Sequence, residues 1–318
     1  MTSHSPFHVG EQTLQSHAGV RERLEAVGHV VLRDHMPDQH RELFGKLPTL
    51  FVAAQDDDGQ PWATMLHGPA GFVTTPDART LRIAGRLVDD DPVTPWLVGG
   101  ASVGLLGLEP HTRRRNRANG RVRAVTPDAV EVAVQQSFGN CPKYIHAREP
   151  EIVAQPARPL AQRLGPALNE ASLGLLRRAD TLFIASASGA RAASLDDTDS
   201  SQGVDVSHRG GRPGFLHVDS AARAAVRLTM PDYTGNFFFN TLGNLLAWPK
   251  AGLLVPDYTD GSLLHLAADA SIELDGDALR QFPGALRLLR LDVRAAWWRE
   301  GALPLRWSTP VAPPQFAP

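Results

Sequence analysis

The feature that most constrains the fold is that the chain is written twice. "LPTLFVAAQ" (47–55) and "ADTLFIASA" (179–187) are strand-like runs rich in β-branched and aromatic residues. Each follows a helix-like stretch, PDQHRELFGKL in the first case and NEASLGLLRRA in the second, and each runs into a polar turn, QDDDGQP or the longer ASGARAASLDDTDSSQG. Further on, "HGPAGFV" is answered by "GRPGFLH", "RTLRI" by "AAVRL" and "SVGLLGL" by "KAGLLVP". Five matches in one order point to an internal duplication, which sets the fold class before any single element does.

Within each copy, short strands are separated by Gly, Asp-Gly or Asn-Gly signals, among them Asn119-Gly120 and Asp260-Gly261, so antiparallel sheet is expected. Two elements fall outside the copies. A helix is expected around 11–27, with Leu14, Ala18, Leu24 and Val27 on one face, and "LRLLRLDVRAAWW" reads as a final strand with Leu289, Leu291, Val293, Ala295 and Trp297 on one side. The Pro-rich stretch 148–167 connects the halves, and "TPVAPPQFAP" reads as an extended, poorly ordered tail. The fold class is therefore mainly β with flanking helices (α+β). Residues 1–150 hold the N-terminal helix and first copy, 151–308 the second copy, and 309–318 the tail.

Composition narrows function. The single cysteine, Cys141, excludes an intramolecular disulfide and a Cys-based metal cluster. The start of the chain has no secretory pattern and no apolar run is long enough to span a bilayer, so a cytoplasmic protein without membrane contact is expected. A net charge of −2 favours no nucleic-acid partner. Of 32 basic residues only Lys46, Lys143 and Lys250 are lysines. None of the 12 histidines forms an HExxH or paired-ligand spacing, so no metal is expected, and there is no GxGxxG or Walker-type loop.

The stretches "MPDQHREL", "GLLGLEPHTRRRNRANGRV", "FGNCPKYI", "HRGGRPGF", "YTGN", "FNTLGNL" and "LPLRWS", with "PDYTGNFFFNTLGNLLAWPKAGLLV" as the longest, resemble the pyridoxamine 5′-phosphate oxidase-like superfamily, and within it a long, duplicated flavin-nucleotide-binding subgroup. The resemblance implies two tandem FMN-binding split β-barrels. It also implies FMN as cofactor, ahead of haem or deazaflavin, and a homodimer with flavin near the subunit interface. The function implied is a flavin-dependent oxidoreductase using a small-molecule substrate and an electron donor, with a non-catalytic flavin or haem carrier as the alternative. One departure stands out: where the true oxidases carry a Ser-Arg-Lys that holds the flavin phosphate, this chain has Phe239, Asn240 and Thr241.

FMN needs cations and N–H groups for its phosphate, polar groups for the pyrimidine edge and a flat apolar slot for the ring. Ser207, His208 and Arg209 followed by Gly210 and Gly211 suit an anion approached by backbone. Asn236, Asn240, Thr241 and Asn244 are spaced to share one side of a helix after a strand, next to Tyr233 and Thr234, and Phe237, Phe238 and Phe239 are large enough to wall a ring. In the loop around Cys141, the resemblance implies Asn140, Lys143 and Tyr144 as the flavin contacts, with Cys141 expected to be a small packed residue. The basic run "HTRRRNR" (111–117) is expected to recognise an anion at the first copy's equivalent of this region, or to reach across a dimer. No residue is assigned a catalytic acid–base role.

Overall fold

The computed structural model describes residues 5–85, 90–154, 161–190, 199–219 and 225–316. Parts of the long turn, of the connection between the halves and of "AAVRL" lie outside the described residues. Three helices open the chain: α1 (Val9–His17), α2 (Arg21–Val31) and α3 (Asp38–Lys46). The single helix expected over 11–27 is in fact two. Gly19, at φ 67°, breaks it in a left-handed turn that glycine adopts without strain, and Val27 ends up 38 % exposed rather than sharing a face with Leu14 and Leu24.

The first half then forms β1 (Thr49–Gln55), β2 (Pro61–His67), β3 (Val73–Asp77), β4 (Thr80–Ala84), β5 (Ser102–Glu109), β6 (Arg114–Thr126) and β7 (Ala129–Gly139). They pair in the order β2-β1-β5-β6-β7-β4-β3. Two short strands, β8 (Pro150–Ile152) and β9 (Gln162–Leu164), lie in the connection. The second half begins with α4 (Glu170–Arg178), capped by the Asn169 side chain on Ser172 N. It continues through β10 (Thr181–Ala187), β11 (Val204–Gly210), β12 (His217–Asp219), β13 (Arg227–Asp232), α5 (Asn240–Ala247), β14 (Lys250–Pro256), β15 (Leu263–Glu273), β16 (Arg287–Arg299) and β17 (Leu305–Trp307). Its order, β11-β10-β14-β15-β16-β13-β12, is that of the first sheet strand for strand, with β9 added against β16. Register agrees as well: Phe51 lies opposite Leu106, and Phe183 opposite Leu254. The fold is thus mainly β with flanking helices, two split barrels of one strand order.

The barrels meet back to back. Phe51 and Phe183, equivalent residues, stack on each other with ring centroids 3.5 Å apart. Gly104 and Gly252, also equivalent, are where backbones touch: a Cβ on Gly104 would lie 2.7 Å from the Val204 carbonyl oxygen, and one on Gly252 2.2 Å from that of Pro61. These reciprocal contacts place a local twofold axis between the halves. A shared apolar layer of Phe51, Leu106, Phe183 and Leu254 separates each barrel's own core.

Three further expectations are corrected. Asn119-Gly120 is not a turn but a register shift inside the 13-residue β6. In β16 a bulge at Arg294 moves the alternation by one residue, so Leu289, Leu291 and Val293 pack in the second core while Ala295 and Trp297 pack against the first. The tail is tied down rather than loose: Val311 bridges Ala147 through two backbone hydrogen bonds of 2.9 Å, and Arg113 Nη2 donates to the carbonyls of Val311 and Ala312.

Candidate ligand-binding cleft

A cleft of about 440 Å³ opens where the two barrels, the loop after β7 and the start of α5 converge. β11 contributes Ser207, His208, Arg209 and Gly210, with Gly211 following. The alternation of β6 sends Arg115 and Arg117 in from the first barrel. The loop after β7 adds Asn140, Cys141, Lys143 and Tyr144, and the end of β13 with the segment behind it adds Asp232, Tyr233, Asn236, Phe237 and Phe239. Asn240 and Thr241 start α5, Arg287 starts β16, and Phe316 of the tail reaches the mouth. The side chain of no residue caps α5, so its first N–H groups are available beside the cleft.

The backbone around the cleft is unusual. Of four non-glycine residues with positive φ among those described, Tyr144 (67°), Phe237 (60°) and Phe239 (63°) all line it. Such conformations cost of order 1 kcal/mol each and persist where surrounding structure enforces them, often at ligand sites. Gly210 packs under the loop so closely that a Cβ would lie 2.1 Å from the Tyr144 carbonyl oxygen.

The electrostatics are one-sided. Arg117 is paired, its Nη1 donating to Asp205 Oδ1 at 3.0 Å and its Nη2 to the Ser207 hydroxyl. Arg287 faces Asp232 at 3.3 Å and lies over the Phe239 ring. Arg115 and Arg209 form no ion pair with a carboxylate among the described residues. Arg115 donates from Nε and Nη2 to the Cys141 carbonyl, at 3.0 and 2.6 Å, and Arg209 donates to the His208 carbonyl at 3.4 Å. Burial, with Arg209 and Arg117 alongside, pulls the Arg115 guanidinium down to about 9, and burial lowers Arg209 as well. Burial and the same arginines hold His208 well below the ordinary histidine range, so it is neutral. His208 is 4 % exposed, and neither of its ring nitrogens has a hydrogen-bond partner; Arg117 Nε and Asn140 Oδ1 are likewise unpartnered. Buried polar groups rarely remain unmatched, and Arg287 Nε adds a further one among the residues lining this cleft.

Twelve of the fourteen expected site residues line the cleft. Thr234 is exposed beside it, its carbonyl accepting from the Tyr144 hydroxyl at 3.1 Å. Asn244 is buried behind it, donating to Ser186 and Asp205. Asn240 touches the cleft, but its amide is held by Glu11 at 2.6 Å. Phe237 and Phe239 wall the space, while Phe238 points away into a cluster with Phe7 and Phe138. Cys141 lines the cleft, half-buried, rather than packing beneath it. Of the basic run, Arg115 and Arg117 line this same cleft, while Arg113 bonds the tail and Arg114 the Gln39 carbonyl. Arg115 and Arg117 were legible in principle: two residues apart on a strand, they share a face. Asp232, Arg287 and Phe316 had no local signal.

Residues 36–159 match the family described as pyridoxamine 5′-phosphate oxidase. The match spans less than half of the chain and covers the first barrel. The matched residues carry the first barrel, Arg115, Arg117 and the loop around Cys141, whereas β11 and α5 lie beyond them. Among solved structures, a candidate pyridoxamine 5′-phosphate oxidase from Lactobacillus delbrueckii is similar at 17 % identity and a TM-score of 0.29, over 41 % of this chain and 93 % of that one. HupZ from Group A Streptococcus is similar at 14 % identity and 0.24, over 33 % and 93 %. The Bacillus subtilis inhibitor of motility follows at 8 % and 0.22, over 79 % and 88 %. No curated protein matches. None of these likenesses bears on ligand or reaction. No helix among the described residues is long and apolar enough to cross a membrane.

Proposed function

We propose that the chain is a member of the pyridoxamine 5′-phosphate oxidase-like superfamily, binds FMN in the cleft and acts as a flavin-dependent oxidoreductase on a small molecule. The observation that carries the reading is the pair Arg115 and Arg209. They are two partly buried guanidinium groups that form no ion pair with a carboxylate among the described residues, beside a neutral, unpartnered His208 and the uncapped start of α5. Two guanidinium groups that make no direct ion pair, with Asp232 acting on Arg209 only from farther off, match a phosphate monoester near −2, and the charge-assisted bonds it would accept are among the strongest available to a protein. The position vacated by the oxidase-type Ser-Arg-Lys is thereby served from β6 and β11, with Lys143 and Thr241 as further donors.

The rest of the cleft fits the remainder of such a molecule. Phe237 and Phe239, fixed in left-handed backbone, give flat apolar walls, and Asn140, Asn236 and His208 offer polar atoms for a heterocycle edge. A bound flavin would supply hydride and electron transfer, leaving this chain's residues to bind, orient and exclude water. His208, neutral and unpartnered, also has what an axial haem ligand needs, which is the specific observation behind a haem-carrier alternative.

The test is the absorbance spectrum of the purified protein, followed by reduction under nitrogen with NADH or NADPH. Flavin bands that bleach with a donor support the oxidoreductase reading. A Soret band transfers the site to haem, and neither chromophore taken up from solution defeats both.

A further inference from the structure

Because the barrels share strand order and register, the cleft has a counterpart position across the local twofold axis. Leu106 lies opposite Arg117 in the first sheet and Leu254 opposite His265 in the second, so His265 is the counterpart of Arg117. Likewise Thr64 corresponds to Ser207 and Leu66 to Arg209, through their pairing with equivalent residues of β1 and β10. Leu108 pairs with Arg115 and Pro256 with Leu263, which makes Leu263 the counterpart of Arg115. Both guanidinium groups that lack a carboxylate in the cleft are therefore leucines at the counterpart.

The counterpart is also filled. Asp91, ahead of β5, turns inward there, and its carboxylate accepts from the Val93 N–H at 2.8 Å, from the Thr64 hydroxyl and from Arg299 Nη1 at 2.7 Å. Thr64, Asp91, His265 and Arg299 are 0, 1, 0 and 6 % exposed. Three donors of different chemistry meeting one enclosed carboxylate is the arrangement a site makes around a bound anion.

We infer that Asp91 is an internal substitute for a ligand anion. One chain then holds one ligand where its architecture provides two equivalent positions, and it completes that one site without a second chain. The open cleft already draws Arg115 and Arg117 from one barrel and Arg209 and Asp232 from the other. The inference rests on the reading of the cleft as an anion site.

Two measurements test it. Calorimetric titration of the wild-type protein with FMN, with mass measured in parallel, should saturate at one per chain on a monomer. Saturation at two per chain, or binding by dimers alone, overturns it. The second arm does not involve flavin. Asp91→Ala leaves a carboxylate-sized void between Thr64 and Arg299, and formate should raise its melting temperature by about 3–5 °C over equal chloride while leaving the wild type unmoved. Asp91→Asn, which fills the void, should show no formate effect. An equal response of all three proteins, or no response of Asp91→Ala, overturns the inference. If Asp91→Ala is recovered only when refolded with formate, that counts in favour; if it is recovered under neither condition, the stoichiometry decides. Should FMN not bind at all, the flavin reading alone fails, and inorganic phosphate becomes the probe for the count.

Discussion

Replacing Arg115 by methionine should stabilise the empty protein and weaken it for ligand, two effects of opposite sign from one guanidinium. In the empty cleft Arg115 is desolvated, stands beside Arg209 and Arg117, and has as hydrogen-bond acceptor the carbonyl of Cys141. Exchanging a buried charged group for an apolar one of similar volume is neutral to stabilising by about 1–4 kcal/mol, and the abandoned carbonyl takes back about 1–3. A net gain of about 1 kcal/mol is expected, a rise of roughly 2–4 °C in melting temperature. For a phosphate-bearing ligand the lost charge-assisted bond is worth about 1.5–3 kcal/mol, or roughly tenfold to 150-fold in Kd. At an FMN concentration 100 times the wild-type Kd, the wild type gains about 2.7 kcal/mol from ligand; a variant binding 30-fold more weakly gains about 0.9. The order of stability should therefore invert between melts with and without FMN. A variant less stable than wild type when empty, or one that gains as much from FMN, refutes the account of Arg115 as a cation held ready for an anion.

Other outcomes follow from the same geometry. Gly210→Ala should lose at least tenfold in FMN affinity, since its Cβ would drive the Tyr144 carbonyl away and with it the loop; unchanged binding in a fluorescence titration would show that the loop does not shape the site. Cys141→Ser should bind FMN within about twofold of wild type, because the cysteine holds Arg115 through its backbone carbonyl, whereas Lys143→Ala should lose about tenfold by removing a cation at the mouth. A dead serine variant would make the thiol the chemistry. Burial holds His265 down at about 4, so the unfolded chain takes up a proton below about 6.5 that the fold refuses. Its contribution is complete above that pH and falls as pH drops toward 4, by about 2 kcal/mol at pH 5. His265→Gln should flatten denaturant-measured stability against pH between 6.5 and 4, and an unchanged slope would refute the assignment.

The repeated strand order was legible because strand periodicity and turn chemistry are local, and the same order of motifs recurs in both halves. The loop around Cys141, singled out by resemblance, and the stretch from Ser207 to Gly211, singled out by its residue types, both line the cleft. What escaped was decided over long distances. Asn240 and Asn244 look like ligand contacts on their spacing, yet Glu11 and Asp205, 229 and 39 residues away, hold their amides. Arg287 and Asp232 become neighbours only when β16 pairs with β13. Trp297 changes cores because one bulge at Arg294 reverses a face, and a bulge leaves no periodic trace. The Pro-rich tail reads as unstructured, and its anchoring depends on Arg113 and Arg212, whose partners in it are backbone carbonyls that any sequence carries.

The most direct test of the central claim compares FMN with riboflavin, which has the same ring and no phosphate, in equilibrium fluorescence titrations of the wild type and of Arg209→Ala. If Arg115 and Arg209 await a phosphate, the wild type should bind FMN roughly a hundredfold or more tighter than riboflavin, and Arg209→Ala should lose about tenfold or more of that preference while its riboflavin affinity stays near the wild-type value. Equal affinities of the wild type for the two flavins, or a preference undiminished in Arg209→Ala, would contradict it.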